Sequence, residues 1–537
     1  MSLFFNYDNS VCGKGFSPVF FPYDPSVSSL KELLMYELSQ MSYYSIKLKE
    51  LGFDTAKIND KIINYISLIV VNLDFRKEQL LSVIKNIYDE VKTAENDYKN
   101  ACAEKSTEPL VIKGEKLSFE TKKEGFEALN FGEKQLILKN TVFSKSKKRI
   151  SDITTMLVSN ACLCITETEN YGKTTDEIKE KIPEILYTVN YSDISDDELK
   201  NKLSEFVKVN LRIMKNLNSI ISEKYGEAET ADVNLSIKKG KCILVSGHYY
   251  RNLEMLLETI KDEDINVYTH DEMLFAHCYP NLNKYKNLAG HYRRSVNNPH
   301  IDFATFPGTV LITKNSHTDF DTIRGRIFTP DNNPAYGINK VSENDFSPLI
   351  QAAKEEKGFK RDIKIGKIQV GYNKNEVLKK LSDLIQIFRE NKYKHLFFTD
   401  LTNYNSNQSG YFGRFFEILP DDCYVIAFSY NKFQKNNIWN INVSYDMPLT
   451  YDMLDKLKEY PEILEKTTFF ITQCQLRTIS HALNFKSYNI KNIFLGECCP
   501  TVISPTLTEG LEELFEIKQI SKSAKKDIDK ILGNKTD

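Results

Sequence analysis

The sequence lacks an excess of charge of either sign, an apolar run long enough to cross a bilayer, and any Cys-x-x-Cys pair. Its 537 residues carry 71 Lys and Arg against 73 Asp and Glu, a formal net charge of -2. A charge so close to neutral removes the main reason to expect a nucleic-acid-binding protein or a polybasic membrane binder. We therefore expect no nucleic acid and no membrane as partners, and a protein partner stays unidentified.

The most apolar stretch, residues 62–73, is shorter than the roughly 20 residues that span a bilayer. Polar side chains at Asn64, Ser67 and Asn72 also interrupt it. The first 19 residues have no basic segment of the kind that opens a cleaved signal peptide. We therefore expect a cytoplasmic protein.

Ten cysteines in so long a chain are too sparse for a disulfide scaffold. The two close groups, Cys162/Cys164 and Cys498/Cys499, lack the second Cys or His pair that a zinc or iron-sulfur site normally shows. We interpret the cysteines as mostly buried free thiols.

Helical periodicity dominates the first 235 residues. The first run carries a capping-box pattern at Ser29 and Glu32 and ends at Gly52. The pattern predicts an antiparallel helical bundle, with further helices at about 60–71, 77–103, 132–140, 151–164, 175–185 and 197–225.

After Lys241, short β-rich runs alternate with amphipathic helices, which is typical of an α/β fold. About 300 residues of this pattern fit two doubly wound domains better than one, and a charged break falls near residue 360. The predicted fold class is a multidomain α and α/β protein: an N-terminal helical bundle at 1–235, then two Rossmann-like α/β domains at 236–360 and 361–537. The predicted strands are 242–245, 265–268, 309–312, 367–372, 396–399, 424–428, 469–472 and 493–495.

Polar residues cluster where six of these strands end. Parallel sheets bind ligands at the carboxyl ends of their strands, so chemistry is expected at these corners. The alternative for any single corner is that its polar residues cap a helix or satisfy a turn. The corners are Ser246-Gly247-His248, Thr269-His270-Asp271-Glu272, Asn315-Ser316-His317, Thr402-Asn403, Ser429-Tyr430 and Gln473-Cys474-Gln475.

At these corners the sequence resembles the hybrid cluster protein family, also called prismane proteins or hydroxylamine reductases. The similarity is dense from 241 to 350 and weaker at 394–398, 420–423 and 491–496, and it includes Cys12-Gly13-Lys14. The segments that carry it are Ile-Leu-Val-Ser-Gly-His (243–248), Ile-Asn-Val-Tyr-Thr-His-Asp-Glu-Met-Leu-Phe-Ala-His-Cys-Tyr-Pro (265–280), Phe-Ala-Thr-Phe-Pro-Gly (303–308) and Asp-Phe-Ser-Pro (345–348).

The resemblance implies a helical domain followed by two Rossmann-like domains, as the periodicity does. It also implies an iron-sulfur cluster near the N-terminus and a hybrid iron-sulfur-oxygen cluster where the three domains meet. One His, two Glu and four Cys hold the hybrid cluster in that family, and the cluster reduces hydroxylamine or nitric oxide.

Only part of that ligand set is present in this sequence. His248 matches the ligand His, and Glu272 matches the first ligand Glu. The segment 439–468, where another ligand Cys belongs, contains no cysteine, and Cys12 alone remains of the four N-terminal cysteines. The other matched positions carry Ser316, Asn403 and Tyr430 in place of Cys, and Gln475 in place of the second Glu.

Iron-sulfur clusters need thiolates, and Ser, Asn and Tyr are not comparable soft donors. The sequence therefore predicts a degenerate active site without iron-sulfur cofactors, in a pseudoenzyme with a binding, scaffolding or regulatory role.

Two alternatives stay open. One is a mononuclear iron or zinc enzyme that uses His248 and Glu272, with His270 or His277 nearby, although hydrogen bonding within the turn is the favoured interpretation of the last two. The other is a conventional hydroxylamine or nitric oxide reductase, so whether the chain is an oxidoreductase enzyme stays uncertain.

Overall fold

The chain folds as a helical domain followed by two α/β domains, each with a six-stranded parallel sheet. This confirms the predicted fold class, while the domain limits at 235 and 360 stay predictions. No helix in the described ranges is long and apolar enough to cross a membrane. The computed structural model describes residues 25–71, 77–110, 112, 128–132, 134, 143–292, 299–314, 324–331, 337–400, 406–428, 435–444, 447–472, 476–496 and 505–533.

Seven helices of the helical domain have both ends within the described residues. The predicted helix at 132–140 falls mostly outside them. The seven are α1 (Pro25–Glu50), α2 (Ala56–Val71), α3 (Lys77–Glu104), α4 (Lys145–Asn170), α5 (Asp176–Lys179), α6 (Lys181–Tyr191) and α7 (Asp196–Tyr225).

The predicted end of α1 at Gly52 is confirmed, but its predicted start is not. Gly52 has a φ of +87°, and its N–H donates to the carbonyl of Lys49 at 2.9 Å. The N–H of Phe53 donates to the carbonyl of Leu48 at 3.1 Å, which completes a Schellman motif. The predicted cap at Ser29 is wrong, because the helix already begins at Pro25.

The second domain is a doubly wound sheet. Its strand order, β4-β3-β2-β5-β6-β7, is the 3-2-1-4-5-6 order of the Rossmann fold, and all neighbours are parallel. The strands are β1 (Ala231–Asn234, outside this sheet), β2 (Lys241–Ser246), β3 (Ile265–His270), β4 (Leu288–His291), β5 (Thr309–Ile312), β6 (Ile327–Thr329) and β7 (Asn339–Lys340). The helices are α8 (Tyr250–Thr259), α9 (Pro280–Asn283), α10 (Pro299–Thr305) and α11 (Ser347–Glu355), with 3-10 turns at Asp271–Cys278 and Arg324–Arg326.

The third domain repeats this architecture with the order β11-β10-β9-β12-β13-β14, again all parallel. The strands are β8 (Lys367–Val370, outside this sheet), β9 (His395–Asp400), β10 (Cys423–Phe428), β11 (Ile438–Ile441), β12 (Thr467–Ile471), β13 (Asn492–Leu495) and β14 (Ile517–Gln519). The helices are α12 (Lys374–Arg389), α13 (Ser406–Ile418), α14 (Pro448–Leu457), α15 (Pro461–Leu464), α16 (Leu476–Lys486), α17 (Pro505–Phe515) and α18 (Ala524–Leu532).

Strand β8 corrects one detail of the sequence prediction. The run 367–372 was expected in the α/β alternation, but β8 pairs antiparallel with β1 in a separate two-stranded sheet. Two of its four residues are exposed and only Val370 is buried, whereas the central sheet strands are buried on both faces.

Gly290 in β4 offers a sharp test of the packing between β1 and the second domain. It has a φ of +153°, and a Cβ there would lie 2.1 Å from the backbone oxygen of Asn234. We expect Gly290→Ala to lower the free energy of unfolding by about 3 kcal/mol, because the opposing atom is backbone and cannot turn away. Urea unfolding followed by circular dichroism measures this effect.

Gly413→Ala is the matched control. Gly413 lies in α13 with open space where a Cβ would be. Alanine favours a helix over glycine, so this substitution should leave stability unchanged or slightly higher. Equal losses in the two variants would contradict the predicted clash.

Candidate functional site at the junction of the three domains

The predicted corners are carboxyl ends of parallel strands in the two Rossmann-like sheets. In each sheet the strand order reverses between the first and fourth strands, β2/β5 and β9/β12, which is where such folds bind ligands. His248 and Glu272 follow β2 and β3. Ser316, Asn403, Tyr430 and Gln475 lie outside the described residues, as does Cys12; the strands that precede the first four end at Ile312, Asp400, Phe428 and Ile471.

His248 and Glu272 leave their sheet at the same level. Ser246 and His270 are partners in the parallel pairing of β2 and β3, and each candidate lies two residues beyond its strand's paired end. Both side chains are half-buried. The register thus puts the two candidates at one edge of the sheet.

Hydrogen bonds tie the turn after β2 to the end of β5. The N–H of Thr313 donates to the carbonyl of Ser246 at 3.0 Å, and its hydroxyl accepts from the N–H of Tyr249 at 3.3 Å. The N–H of Lys314 donates to the amide oxygen of Asn252 at 3.0 Å. The backbone that leads toward Ser316 therefore starts from a fixed position beside His248.

The third domain has a corresponding link at its own switch point. The hydroxyl of Thr472 donates to the carbonyl of Asp400 at 2.7 Å, and both residues are buried. This bond joins the ends of β12 and β9, immediately before the segments that contain Gln475 and Asn403.

His270 and His277 both hydrogen-bond to other side chains, but the partners of His270 lie on β2 and α10 and not within the turn after β3. The Nδ1 of His270 lies 3.0 Å from the hydroxyl of Ser246, and its Nε2 lies 3.4 Å from a carboxylate oxygen of Asp302. The Nε2 of His277 lies 3.0 Å from the hydroxyl of Thr269. Throughout the described ranges, no three His, Cys, Asp or Glu side chains are grouped to hold a metal ion.

The helical domain contributes Glu167, which the sequence analysis missed. Its carboxylate is buried near the end of α4 and lies 3.7 Å from the guanidinium of Arg477 at the start of α16. Burial raises the pKa of Glu167 to about 7, against the opposing effect of Arg477. In the same turn of α4, the carbonyl of Asn170 accepts a 2.5 Å hydrogen bond from Arg251 of α8. The last turn of α4 thus contacts both α/β domains.

A signal for Glu167 was present in the sequence. Apart from Asn160, residues 156–165 are apolar or small on every helical face, and a helix of that kind is buried all round. A carboxylate two residues further along such a helix is expected to need a cationic partner. The identity of that partner, Arg477, could not be read from the sequence because it lies in another domain.

The described cysteines are free and buried, as predicted: Cys102, Cys162, Cys164, Cys242, Cys278 and Cys423. Burial raises the pKa of the Cys164 thiol to about 12, and does the same at Cys242 and Cys423. Cys242 and Cys423 lie near the amino ends of β2 and β10, away from the candidate edge. The thiols of Cys164, Cys242 and Cys423 are therefore protonated side chains of the core at neutral pH.

These features define a class: a helical domain joined to two Rossmann-ordered domains, with its candidate site at their carboxyl edges. Residues 9–445 match the Prismane/CO dehydrogenase family, and the chain belongs to that family.

Relatives match along nearly the whole chain. The hydroxylamine reductase of Thermodesulfovibrio yellowstonii is 28% identical over 542 residues and covers 97% of both chains. The hydroxylamine reductase of Acidiphilium cryptum is 24% identical and covers 98% of this chain and 95% of its own. A solved structure of acetyl-CoA synthase/carbon monoxide dehydrogenase alpha subunits covers 94% of this chain at 10% identity, with a TM-score of 0.49.

The buried imidazole of His277 predicts a loss of stability in acid. Burial lowers its pKa from 6.5 to about 4. The unfolded chain therefore binds a proton that the folded chain does not, so stability is complete above pH 6.5 and falls as the pH drops from 6.5 to 4. We expect this histidine to account for about 3 kcal/mol over that window.

His277→Gln removes the titrating group but keeps a polar side chain for Thr269. Urea unfolding of the wild type and the variant near pH 7 and near pH 4 should show a shallower acid dependence in the variant. Other titrating groups are common to both proteins and cancel in the comparison. Identical pH dependences would show that His277 is not held neutral.

Proposed function

We propose that this chain is a member of the family without iron-sulfur clusters, with a non-redox binding, scaffolding or regulatory role in the cytoplasm. The observation that carries the proposal is the donor set that follows the strand ends. His248 and Glu272 offer one imidazole and one carboxylate. The other positions carry Ser316, Asn403, Tyr430 and Gln475, and none of these supplies a thiolate.

The thiols of the described core do not replace the missing ligands. Cys164 lies on α4 one turn before Glu167, whose carboxylate pairs with Arg477 of the third domain. Its pKa is nevertheless raised to about 12, because burial outweighs the effect of Arg477. A protonated thiol is a poor metal ligand, and a thiol embedded in a close-packed core also leaves little room for a cluster.

Packing near the end of α4 supports the proposal that the fold is stable without cofactors. The Tyr171 ring at that helix end lies 6.2 Å from the Tyr249 ring and 6.1 Å from the Tyr225 ring, between centroids. Tyr249 and Tyr225 are buried, and Tyr249 follows His248 directly. Aromatic pairs at these distances contribute beyond their buried area.

The proposal predicts a colourless protein. Anaerobically purified chain should contain far less than one iron and one acid-labile sulfide per molecule and should lack the broad visible absorption of iron-sulfur clusters. With a reduced viologen as electron donor it should not reduce hydroxylamine. The hydroxylamine reductase of Thermodesulfovibrio yellowstonii, purified and assayed in parallel, is the positive control. Stoichiometric iron and sulfide in this chain would refute the proposal.

A mononuclear metal enzyme is the second candidate, because the β2/β3 register brings His248 and Glu272 to one sheet edge. We expect zinc and ferrous iron to bind the wild type and His248→Ala equally weakly in calorimetric titrations. His395→Ala is the control, since His395 is buried at the start of β9 and hydrogen-bonds Thr468 at 2.8 Å. Tight binding that His248→Ala alone abolishes would favour the metal enzyme instead.

A further inference from the structure

Two segments that enter and leave the second domain form one antiparallel ribbon. Residues 231–240 run against residues 359–370, from the partners Ala231 and Val370 to the partners Gly240 and Phe359. Ile237 and Ile363 pair between them. We call these two segments the basic ribbon.

The basic ribbon concentrates positive charge that the chain as a whole does not have. It carries six Lys or Arg against two Asp, a net charge of +4, whereas the whole chain carries -2. Asp362 already accepts a 2.7 Å hydrogen bond from the backbone of Lys239. The six cations are exposed: Lys238, Lys239, Lys360, Arg361, Lys364 and Lys367.

These cations have no neutralising partners in the part of the chain that the structure describes. None of the six is in an ion pair there, although lysines elsewhere, such as Lys354 and Lys394, pair with carboxylates at 2.8 and 2.7 Å. Side chains on both segments of the ribbon therefore leave their charge available to a binding partner.

An exposed isoleucine lies among these charges. Ile365 is 57% exposed, which is unusual for a large apolar side chain in this structure. Its backbone N–H and that of Gly366 both donate to the hydroxyl of Ser236, at 3.0 and 3.2 Å. The turn is thus fixed by the opposite segment, and Ile365 is held outward between Lys364 and Lys367.

We propose that the basic ribbon is a docking surface for an acidic protein, with Ile365 as the apolar anchor. An apolar centre inside a polar, solvent-accessible rim is the usual anatomy of a protein-protein interface, and the lysines around Ile365 supply the polar rim here. Nucleic-acid surfaces of the single-stranded kind use aromatic stacking, and the aromatic residue of the ribbon, Phe359, is buried. One isoleucine also provides little apolar area for insertion into a membrane.

This surface goes beyond the proposed function, because a relative that kept its clusters could use it equally well. It lies where the chain passes from the helical domain into the second domain and from the second domain into the third. A protein docked there would contact both inter-domain connections at once.

The test uses two labelled peptides of equal length, one of glutamate alone and one in which leucines interrupt the glutamates. We expect the full-length wild type to bind the leucine-containing peptide about tenfold more tightly, and Ile365→Ser to remove most of that preference. The double variant Lys360→Glu/Lys364→Glu should weaken binding of both peptides at least tenfold at low salt. Fluorescence anisotropy at low and high salt measures all of these affinities, and salt should weaken the wild-type complexes.

The matched control is Lys208→Glu/Lys525→Glu, which changes net charge equally at two exposed lysines outside the ribbon. It should bind both peptides within about twofold of the wild type, and circular dichroism should show all variants folded. If the control double variant weakened peptide binding as much as Lys360→Glu/Lys364→Glu, the effect would be one of net charge alone, and the proposal would be overturned. Transfer RNA or phosphatidylserine vesicles that bind the ribbon more tightly than the peptides would also overturn it, as would an unchanged leucine preference in Ile365→Ser.

Discussion

The docking of the third domain against helix α4 is the contact on which the candidate site depends. Arg149 near the start of α4 is buried and ion-paired with Glu509 and Glu513 of α17. The helices approach closely there, since a Cβ on Gly510 would lie 3.0 Å from the Cβ of Arg149. Glu167 and Arg477 make the second ionic contact at the other end of α4. A single rigid helix thereby sets where the third sheet lies relative to the first domain.

Between these two contacts lies a chain of buried amides that fixes the register of docking. The amide of Asn210 in α7 donates to Asn484 of α16 at 3.0 Å, and Asn484 donates to the hydroxyl of Tyr451 at 3.0 Å. Asn160 of α4 joins the chain at 3.4 Å from Asn210, and Tyr451 continues it to His481 at 2.8 Å. Apolar contacts tolerate sliding, whereas a buried amide that loses its partner has a large desolvation cost. The amides thus favour one alignment of the two domains, and the ionic contacts hold its ends.

The sequence predicted the parts of this structure that depend on periodicity and failed where contacts are remote. Strand β5 was predicted to the residue, because Thr309–Ile312 is a compact, mostly β-branched run before a polar corner. The two-residue strand β7 was missed, since so short a segment carries no period. The residues of the candidate site divide in the same way, into those set by local pattern and those set by remote contacts. Corners such as His248 and Glu272 could be predicted from strand ends, but the contact of Glu167 with Arg477 joins positions far apart in the chain.

The frame of the site is independent of the chemistry of the residues that follow its strands, as a fold without the family's clusters requires under the proposed function. The ends of β2 and β5 are joined by backbone and hydroxyl hydrogen bonds through Thr313, and those of β9 and β12 through Thr472. None of these bonds uses a residue that the resemblance marks as a cluster ligand. Replacing a ligand cysteine by Ser, Asn or Tyr therefore changes what the edge can bind, while the strands that form the edge keep their positions. Selection on such a chain could act on the ligand positions and on its surface separately, because packing along α4 maintains the three-domain arrangement in either case.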